Sequence, residues 1–325
     1  MANVYYNRVL SDKMVNTIKD SKYSWIIDYV RQHPELDFQT GSNKNKTWFS
    51  VYRGTGRVLS LSPRGKMSAA NAYMVLCPEF YKAPDEDKFN KLLDTIPQNE
   101  NLGRYYENNK GTKKEGYYQG MIGRRYTFEN KASDDFIIID KEFVIGFEGK
   151  EEKEEWNKPI ENKVSELIRV IRDSFGNTNL PSDISNRYGE FDFLGLTWDG
   201  DLIIMELKQD DPTKTYLSPL QIAYYNLQLT QLIQDIGLDN LYSNIKEMIE
   251  QKSSLGILNI SRPLPEKLSG NILNYLIVGD EEDLSDEICR RFHIIRKLVG
   301  LEIKAYTCQS NTDGTLKDSI KLINK

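Results

Sequence analysis

The sequence predicts an α/β protein: a C-terminal mixed sheet flanked by helices over residues 151–325, preceded by a separate α+β domain over residues 1–150. Three observations lead there. Beyond residue 159 the patterns run helix, strand pair, helix, strand, helix, strand, an order that suits a mixed sheet covered on both sides. The charged stretch Glu148-Gly149-Lys150-Glu151-Glu152-Lys153-Glu154-Glu155 reads as a linker or an exposed helix start. A chain of 325 residues also suggests two domains, at roughly 100–200 residues each.

The first 150 residues hold a helical pattern over 11–31, hairpin-like alternation over 47–61 around Arg53-Gly54-Thr55-Gly56, and a helical pattern over 85–96. A loop is expected over 110–116, and 117–146 reads as strand-rich, ending in the apolar runs 136–139 and 143–145. Gly54-Thr55-Gly56 is no phosphate-binding fingerprint, because neither Gly-x-Gly-x-x-Gly nor Gly-Lys-Ser/Thr occurs there. In the second part, 159–175 carries a helical stripe of Val164, Leu167, Ile168 and Ile171. Two short apolar strands follow around the Trp198-Asp199-Gly200-Asp201 turn, whose Asp-Gly step favours hairpins. Helices are expected over 218–234 and 241–250, a strand over 273–278, a helix over 283–299 and a last strand over 301–307.

Composition narrows the functional classes. Cys77, Cys289 and Cys308 are widely spaced and form no Cys-x-x-Cys pair, which argues against a disulfide framework or a zinc site. The two histidines, His33 and His293, are too few for most zinc chemistries. Without a long apolar run, neither a signal peptide nor a membrane span is expected, and the chain reads as soluble and cytoplasmic. The first 150 residues carry 23 Lys and Arg against 19 Asp and Glu, a net of +4; the remainder carries 20 against 29, a net of −9.

Chemistry concentrates in residues 187–208, RYGEFDFLGLTWDGDLIIMELK. The run Leu202-Ile203-Ile204-Met205 is apolar on both faces, so the carboxylate of Glu206 directly after it needs a metal ion or a buried partner. Strand alternation puts Glu206 and Lys208 on one face with Leu207 on the other, and Asp192 lies on the neighbouring strand. Two carboxylates, an ammonium and the Leu207 carbonyl could meet there and suit a hard cation, Mg2+ or Mn2+. Lys208 would orient or help deprotonate a water and offset charge on a phosphate, which points to phosphodiester hydrolysis.

Asp192 followed by Glu206-Leu207-Lys208 resembles the motif of the PD-(D/E)xK nuclease superfamily, the group with the restriction-endonuclease-like fold. Gly189-Glu190-Phe191-Asp192-Phe193-Leu194 is similar to the Gly-x-x-Asp-Leu-Leu lead-in of repair nucleases acting on branched, mismatched or single-stranded DNA; Phe191 stands where the motif has Pro. Gln221-Ile222-Ala223-Tyr224-Tyr225 resembles the Gln-x-x-x-Tyr motif of RecB-like members. The resemblance implies that Gln221 orients the active-site Lys or the substrate, and that Tyr225 supports the site or touches nucleic acid. It also implies a further acid on the helix that opens the fold. Glu161 extends the inward stripe of 159–175 and is favoured as that catalytic and metal ligand; Glu166 lies about half a turn away, and Glu190 is held in reserve.

In the basic half, Arg53, Arg57, Arg64, Lys66, Arg104, Lys113, Lys114, Arg124 and Arg125 are interleaved with Trp48, Tyr52, Tyr105, Tyr106, Tyr117, Tyr118 and Tyr126. Cations neutralise phosphate and aromatics stack on unpaired bases, so Lys113, Lys114, Arg124 and Arg125 are expected to hold nucleic acid. The expected function is a magnesium-dependent DNA endonuclease of a restriction, repair or defence type, for which a homodimer is a possible form. The alternatives are an RNA-directed or ligand-activated nuclease of the same fold, with the first domain as a sensor, and a non-catalytic nucleic-acid-binding scaffold.

Overall fold

Alternating apolar and polar residues through KTWFSVYR and GRVLSL build a meander whose buried face carries Phe49, Val51, Leu59 and Leu61. In the computed structural model, which describes residues 4–43, 46–107, 113–176, 180–209, 211–279 and 284–323, this meander is part of a four-stranded antiparallel sheet. Its order is β1 (Leu36–Asn43), β2 (Lys46–Arg53), β3 (Gly56–Leu61) and β4 (Met67–Ser68). Helices α1 (Asp12–Lys19) and α2 (Trp25–Gln32) precede it, and α3 (Asn71–Leu76), α4 (Pro78–Lys82), α5 (Glu86–Thr95) and α6 (Glu100–Gly103) follow. Met14, Ile26, Leu36, Phe80 and Phe89 close its core, joined from the far end of the chain by Leu255 and Ile257.

The second sheet has six strands: β5 (Phe136–Phe143), β6 (Phe191–Thr197), β7 (Leu202–Lys208), β8 (Ile272–Val278), β9 (Lys304–Thr307) and β10 (Lys321–Leu322). Strands β5, β6 and β7 are antiparallel neighbours, β7 to β9 are parallel, and β10 returns antiparallel at the edge, so the sheet is mixed. The β6–β7 turn closes as the Thr197 N–H donates to the Asp201 carbonyl at 2.9 Å. One face packs on α8 (Lys150–Phe175), α9 (Pro212–Ile236), α10 (Leu238–Ser254) and α11 (Asp286–Val299), through residues such as Ile160, Leu220, Ile245 and Ile295. The other is covered by α7 (Glu115–Tyr126), whose Tyr118, Met121 and Ile122 meet Phe193, Met205 and Leu207.

Three expectations are corrected. The sheet does not begin after residue 150: β5 pairs with β6 from Phe136↔Thr197 to Phe143↔Phe191, and α7 caps the same sheet, so the division at 150 cuts through the second core. Residues 117–126 are helical rather than strand, because tyrosines and glycines hid a helix that is buried nearly all round. The helix expected from 159 starts nine residues earlier, with Pro159 inside it: exposed on the solvent side, the proline leaves the buried line Trp156, Ile160 and Val164 unbroken. Residues 108–112, which include part of the expected 110–116 loop, and residues 280–283, where the 283–299 helix was expected to start, lie outside the described residues. Among the described residues no helix is long and apolar enough to cross a membrane.

The two sheets meet where the β2–β3 turn docks on the start of α7. Gly54 adopts a positive φ of 61° beside the Tyr105 carbonyl, and a Cβ on Gly116 would stand 2.4 Å from the Tyr105 oxygen and 2.6 Å from the Thr55 nitrogen. Both obstacles are backbone, so Gly116→Ala forces the turn off the helix. We expect a loss of about 1–3 kcal/mol in a urea titration, with unchanged stability counting against this docking as a constraint.

Candidate active site

The ends of β6 and β7 hold the charged side chains together. Continuing the register in which Phe193 faces Met205 sets Asp192 opposite Glu206, on the face it shares with Lys208. Glu206 and Lys208 are 2% and 5% exposed, and Leu207 packs into the opposite face beneath α7. The Lys208 Nζ donates to the Glu206 Oε1, and the Leu207 backbone N–H donates to the Asp192 Oδ2 at 2.7 Å. Glu206 Oε2 is buried and has no hydrogen-bond partner among the described residues. A bare carboxylate oxygen in such surroundings is costly, and it is the feature of the site that calls for a cation.

Helix α9 braces the site from behind. Asp211 caps it, accepting from the Lys214 N–H at 3.0 Å, with Pro212 in the first turn. Gln221 and Tyr225 share a face: the Gln221 Nε2 donates to the Tyr225 Oη at 2.9 Å, and the Tyr225 Oη donates to the Glu190 carbonyl at 2.8 Å. The Gln221 amide also draws the Glu206 pKa down. Tyr225 is 1% exposed, which corrects the expectation that it touches nucleic acid: it is a brace between α9 and the lead-in to β6.

Three residues that sequence reasoning passed over also belong here. Gln119 on α7 donates to the Asp192 Oδ1 at 3.4 Å, and the charge of Glu115, four residues earlier, acts on Asp192, Glu206 and Lys208 alike. Tyr188 stacks edgewise on Tyr224 and Tyr225, and its hydroxyl is pushed up to about 12 by burial and then by Glu206. The signal for the first two was Glu115-x-x-x-Gln119 at helical spacing, obscured once the stretch read as loop and strand.

Electrostatics follow from two acids and one base sharing a dry corner. Burial raises Glu206 to about 7 against the opposing pull of Lys208. Burial, and then the Glu206 charge, holds Asp192 well above the ordinary carboxylate range. Burial also disfavours the Lys208 ammonium, but Glu206, Asp192 and Glu115 outweigh it and raise its pKa. The neighbouring acids thus favour the ammonium form of Lys208.

The remaining expected residues fall elsewhere. Glu161, buried at 8% exposure, pairs with Arg187 at 2.9 Å, and Glu166 is exposed on the outside of α8. Glu190 faces Arg8, Glu142 and Lys153 rather than Glu206. Arg124 and Arg125 are 3% and 6% exposed and cannot meet phosphate. Arg124 donates to the carbonyls of Val30, Arg31, His33 and Leu36, and Arg125 forms a fork with Asp134. Lys113 pairs with Glu107 at 2.7 Å, and Lys114 is the N-cap residue of α7, next to Glu115. Among the described residues no three His, Cys, Asp or Glu side chains form a group that would enclose a metal on their own. Magnesium needs no such cage, since it commonly takes one or two carboxylates and fills its sphere with waters and phosphate oxygens.

The chain matches no known protein-family model, no curated protein and no solved structure.

Two measurements test this account. Both acids have raised pKa values in the folded state: the contribution of Glu206 is fully present below about 4.5, its ordinary value, and is lost as pH rises through about 7, and that of Asp192 runs in the same direction. In thermal melts with chelator, Asp192→Asn should match or exceed the native protein at pH 8, with the advantage vanishing toward pH 4; a variant less stable at pH 8 than at pH 4, relative to the native protein, would contradict the repulsion. Arg124→Ala leaves buried carbonyls without a donor and should cost about 3–5 kcal/mol in urea unfolding, whereas a surface arginine would cost next to nothing.

Proposed function

We propose that the chain is a metal-dependent nuclease of the PD-(D/E)xK superfamily, with the restriction-endonuclease-like fold, that hydrolyses phosphodiester bonds in DNA. The observation that carries this reading is the meeting of Asp192, Glu206 and Lys208 at one strand end, with the Glu206 Oε2 left bare. Support also comes from the helix that follows these strands, where Gln221 and Tyr225 face the site as the resemblance implies. The further acid expected on an opening helix is assigned to Glu115 on α7 in place of Glu161.

The residues present fit a hard cation. Asp192, the Glu206 Oε2 and the Leu207 carbonyl would hold Mg2+ or Mn2+, with Glu115 adding negative charge nearby. Such an ion, when bound, lowers the pKa of a coordinated water and offsets charge on the phosphate. The protein's own share is positional. The Leu207 N–H and Gln119 fix the Asp192 carboxylate, while Lys208 fixes Glu206. Lys208, held as an ammonium, orients the attacking water and stabilises charge developing on the phosphate oxygens.

A magnesium-dependent cleavage assay on single-stranded, double-stranded and branched DNA, with RNA beside it, tests the proposal. Asp192→Ala and Glu206→Ala should abolish cleavage and weaken metal binding. Lys208→Ala should lower kcat by on the order of 100-fold with little change in KM, and Lys208→Arg should not restore it, because the guanidinium differs in shape. Since Lys208 is buried in an ion pair, melting curves must show each variant folded; a folded Asp192→Ala with full activity would sink the assignment.

A further inference from the structure

A groove of about 680 Å3 runs between the exposed face of the first sheet and the start of α8, and ends at Glu190, two residues before Asp192. Its floor is aromatic. The indole of Trp48 occupies the space a side chain on Gly41 would take, with ring carbons 2.1 and 2.2 Å from where that Cβ would lie. Across the groove the Tyr5 ring sits on Gly146 in the same way, at 2.3 and 2.4 Å. Each ring is thus seated directly on a glycine backbone, while Trp48 and Tyr5 both line the groove and remain only half-buried. Glycine at these two cross-strand and bridge positions is what lets the rings lie there: Gly41 is the register partner of Trp48, and Gly146 that of Tyr5.

Tyr52 follows Trp48 on the same face of β2, and Arg57 is its cross-strand partner. Arg57 is exposed, as are Lys150 and Lys153 on the first turn of α8 opposite. Glu148 lies on that rim, where the first turn of α8 also carries Glu151 and Glu152 and Lys150 pairs with Glu154 at 3.5 Å, and Glu142 and Glu190 lie at the end toward the active site, where Arg8 and Lys153 act on Glu190. Beyond Tyr52 the β2–β3 turn touches Gly116, the neighbour of Glu115, so the Tyr52 end of the aromatic strip borders residues next to the active site.

We infer that this groove binds unpaired nucleotides of a single-stranded nucleic acid, with a base stacked on Trp48 and backbone phosphates on Arg57, Lys150 and Lys153. Aromatic rings spaced along a basic-rimmed channel serve single strands, whose bases offer free π-faces; a duplex hides those faces. The inference deepens the nuclease reading and rests on it for the step from binding to cleavage, while the binding itself can be measured separately.

The test uses the full chain in chelator, with a fluorescently labelled oligo-deoxythymidine, an oligouridine and a blunt duplex of equal length. We expect both single strands to bind more tightly than the duplex and to quench tryptophan fluorescence. Trp48→Phe should keep binding within a few-fold yet remove most of the quenching, and Trp48→Ala should weaken single-strand binding by about tenfold or more without changing the duplex. Arg57→Glu with Lys153→Glu should flatten the salt dependence. Binding of one strand chemistry alone identifies DNA or RNA as the ligand. Quenching that survives in Trp48→Phe, or a native protein that binds no single strand because the groove takes a protein instead, overturns the inference. Trp48-dependent binding without cleavage in magnesium would leave the groove standing and remove the nuclease reading; cleavage untouched by Trp48→Ala would do the reverse.

Discussion

Two carboxylates and one ammonium, gathered at the ends of β6 and β7, set the terms for everything around them. Desolvating each ion costs several kcal/mol, and one lysine cannot balance Asp192, Glu206 and the nearby Glu115. The arrangement is left with an excess of negative charge and a bare carboxylate oxygen in a place that apolar packing on both faces keeps dry. The protein holds this tension with fixed donors: the Leu207 N–H and Gln119 on Asp192, and Lys208 on Glu206. Such a site is preorganised for positive charge before any ligand arrives, which is the condition under which electrostatic catalysis avoids reorganisation cost.

Helix α7 is the part that ties the first sheet to this site. Its outer end is anchored by Arg124, which gathers four carbonyls from the end of α2 to the start of β1, and its first turn is gripped by the β2–β3 hairpin. The same first turns carry Glu115 and Gln119. A second clasp lies under β5, where Asp140 accepts from the Tyr6 hydroxyl at 3.0 Å and pairs with Arg8 at 3.2 Å and Lys252 at 3.7 Å. Burial pulls Lys252 down to about 8, with Asp140 opposing it. Beside that clasp Lys141 pairs with Asp37 on β1. The first sheet and the candidate site are thus not separable by cutting the chain at 150: residues 151–325 alone would lose β5 and α7, exposing one edge and one face of the sheet.

Local signals and long-range packing contributed to different parts of this result. Asp192, Glu206, Lys208, Gln221 and the alternation that puts Leu207 on the far side were all legible, because a hairpin and the helix after it carry them at short, regular spacings. The amphipathic helix α11 and the strand β8 were legible because a single buried stripe or apolar run declares itself in sequence, and α9, though buried on most sides, by the length of its helix-forming run.

What sequence alone determined, then, is the charged core of the site and the α/β alternation around it, both encoded within windows of a few residues. Tertiary structure decided the rest. Arg124 and Arg125 look like any basic surface pair until burial turns one into a donor for four carbonyls and the other into half of an ion pair. Glu161 fits an inward stripe on its own helix, but α8 carries it to Arg187, while Glu115 comes to the site from a helix that sequence did not reveal. Helix α7 stayed hidden because it is buried on nearly every side: amphipathic contrast exists only where one face of an element meets water, and an element enclosed by its neighbours has none to show.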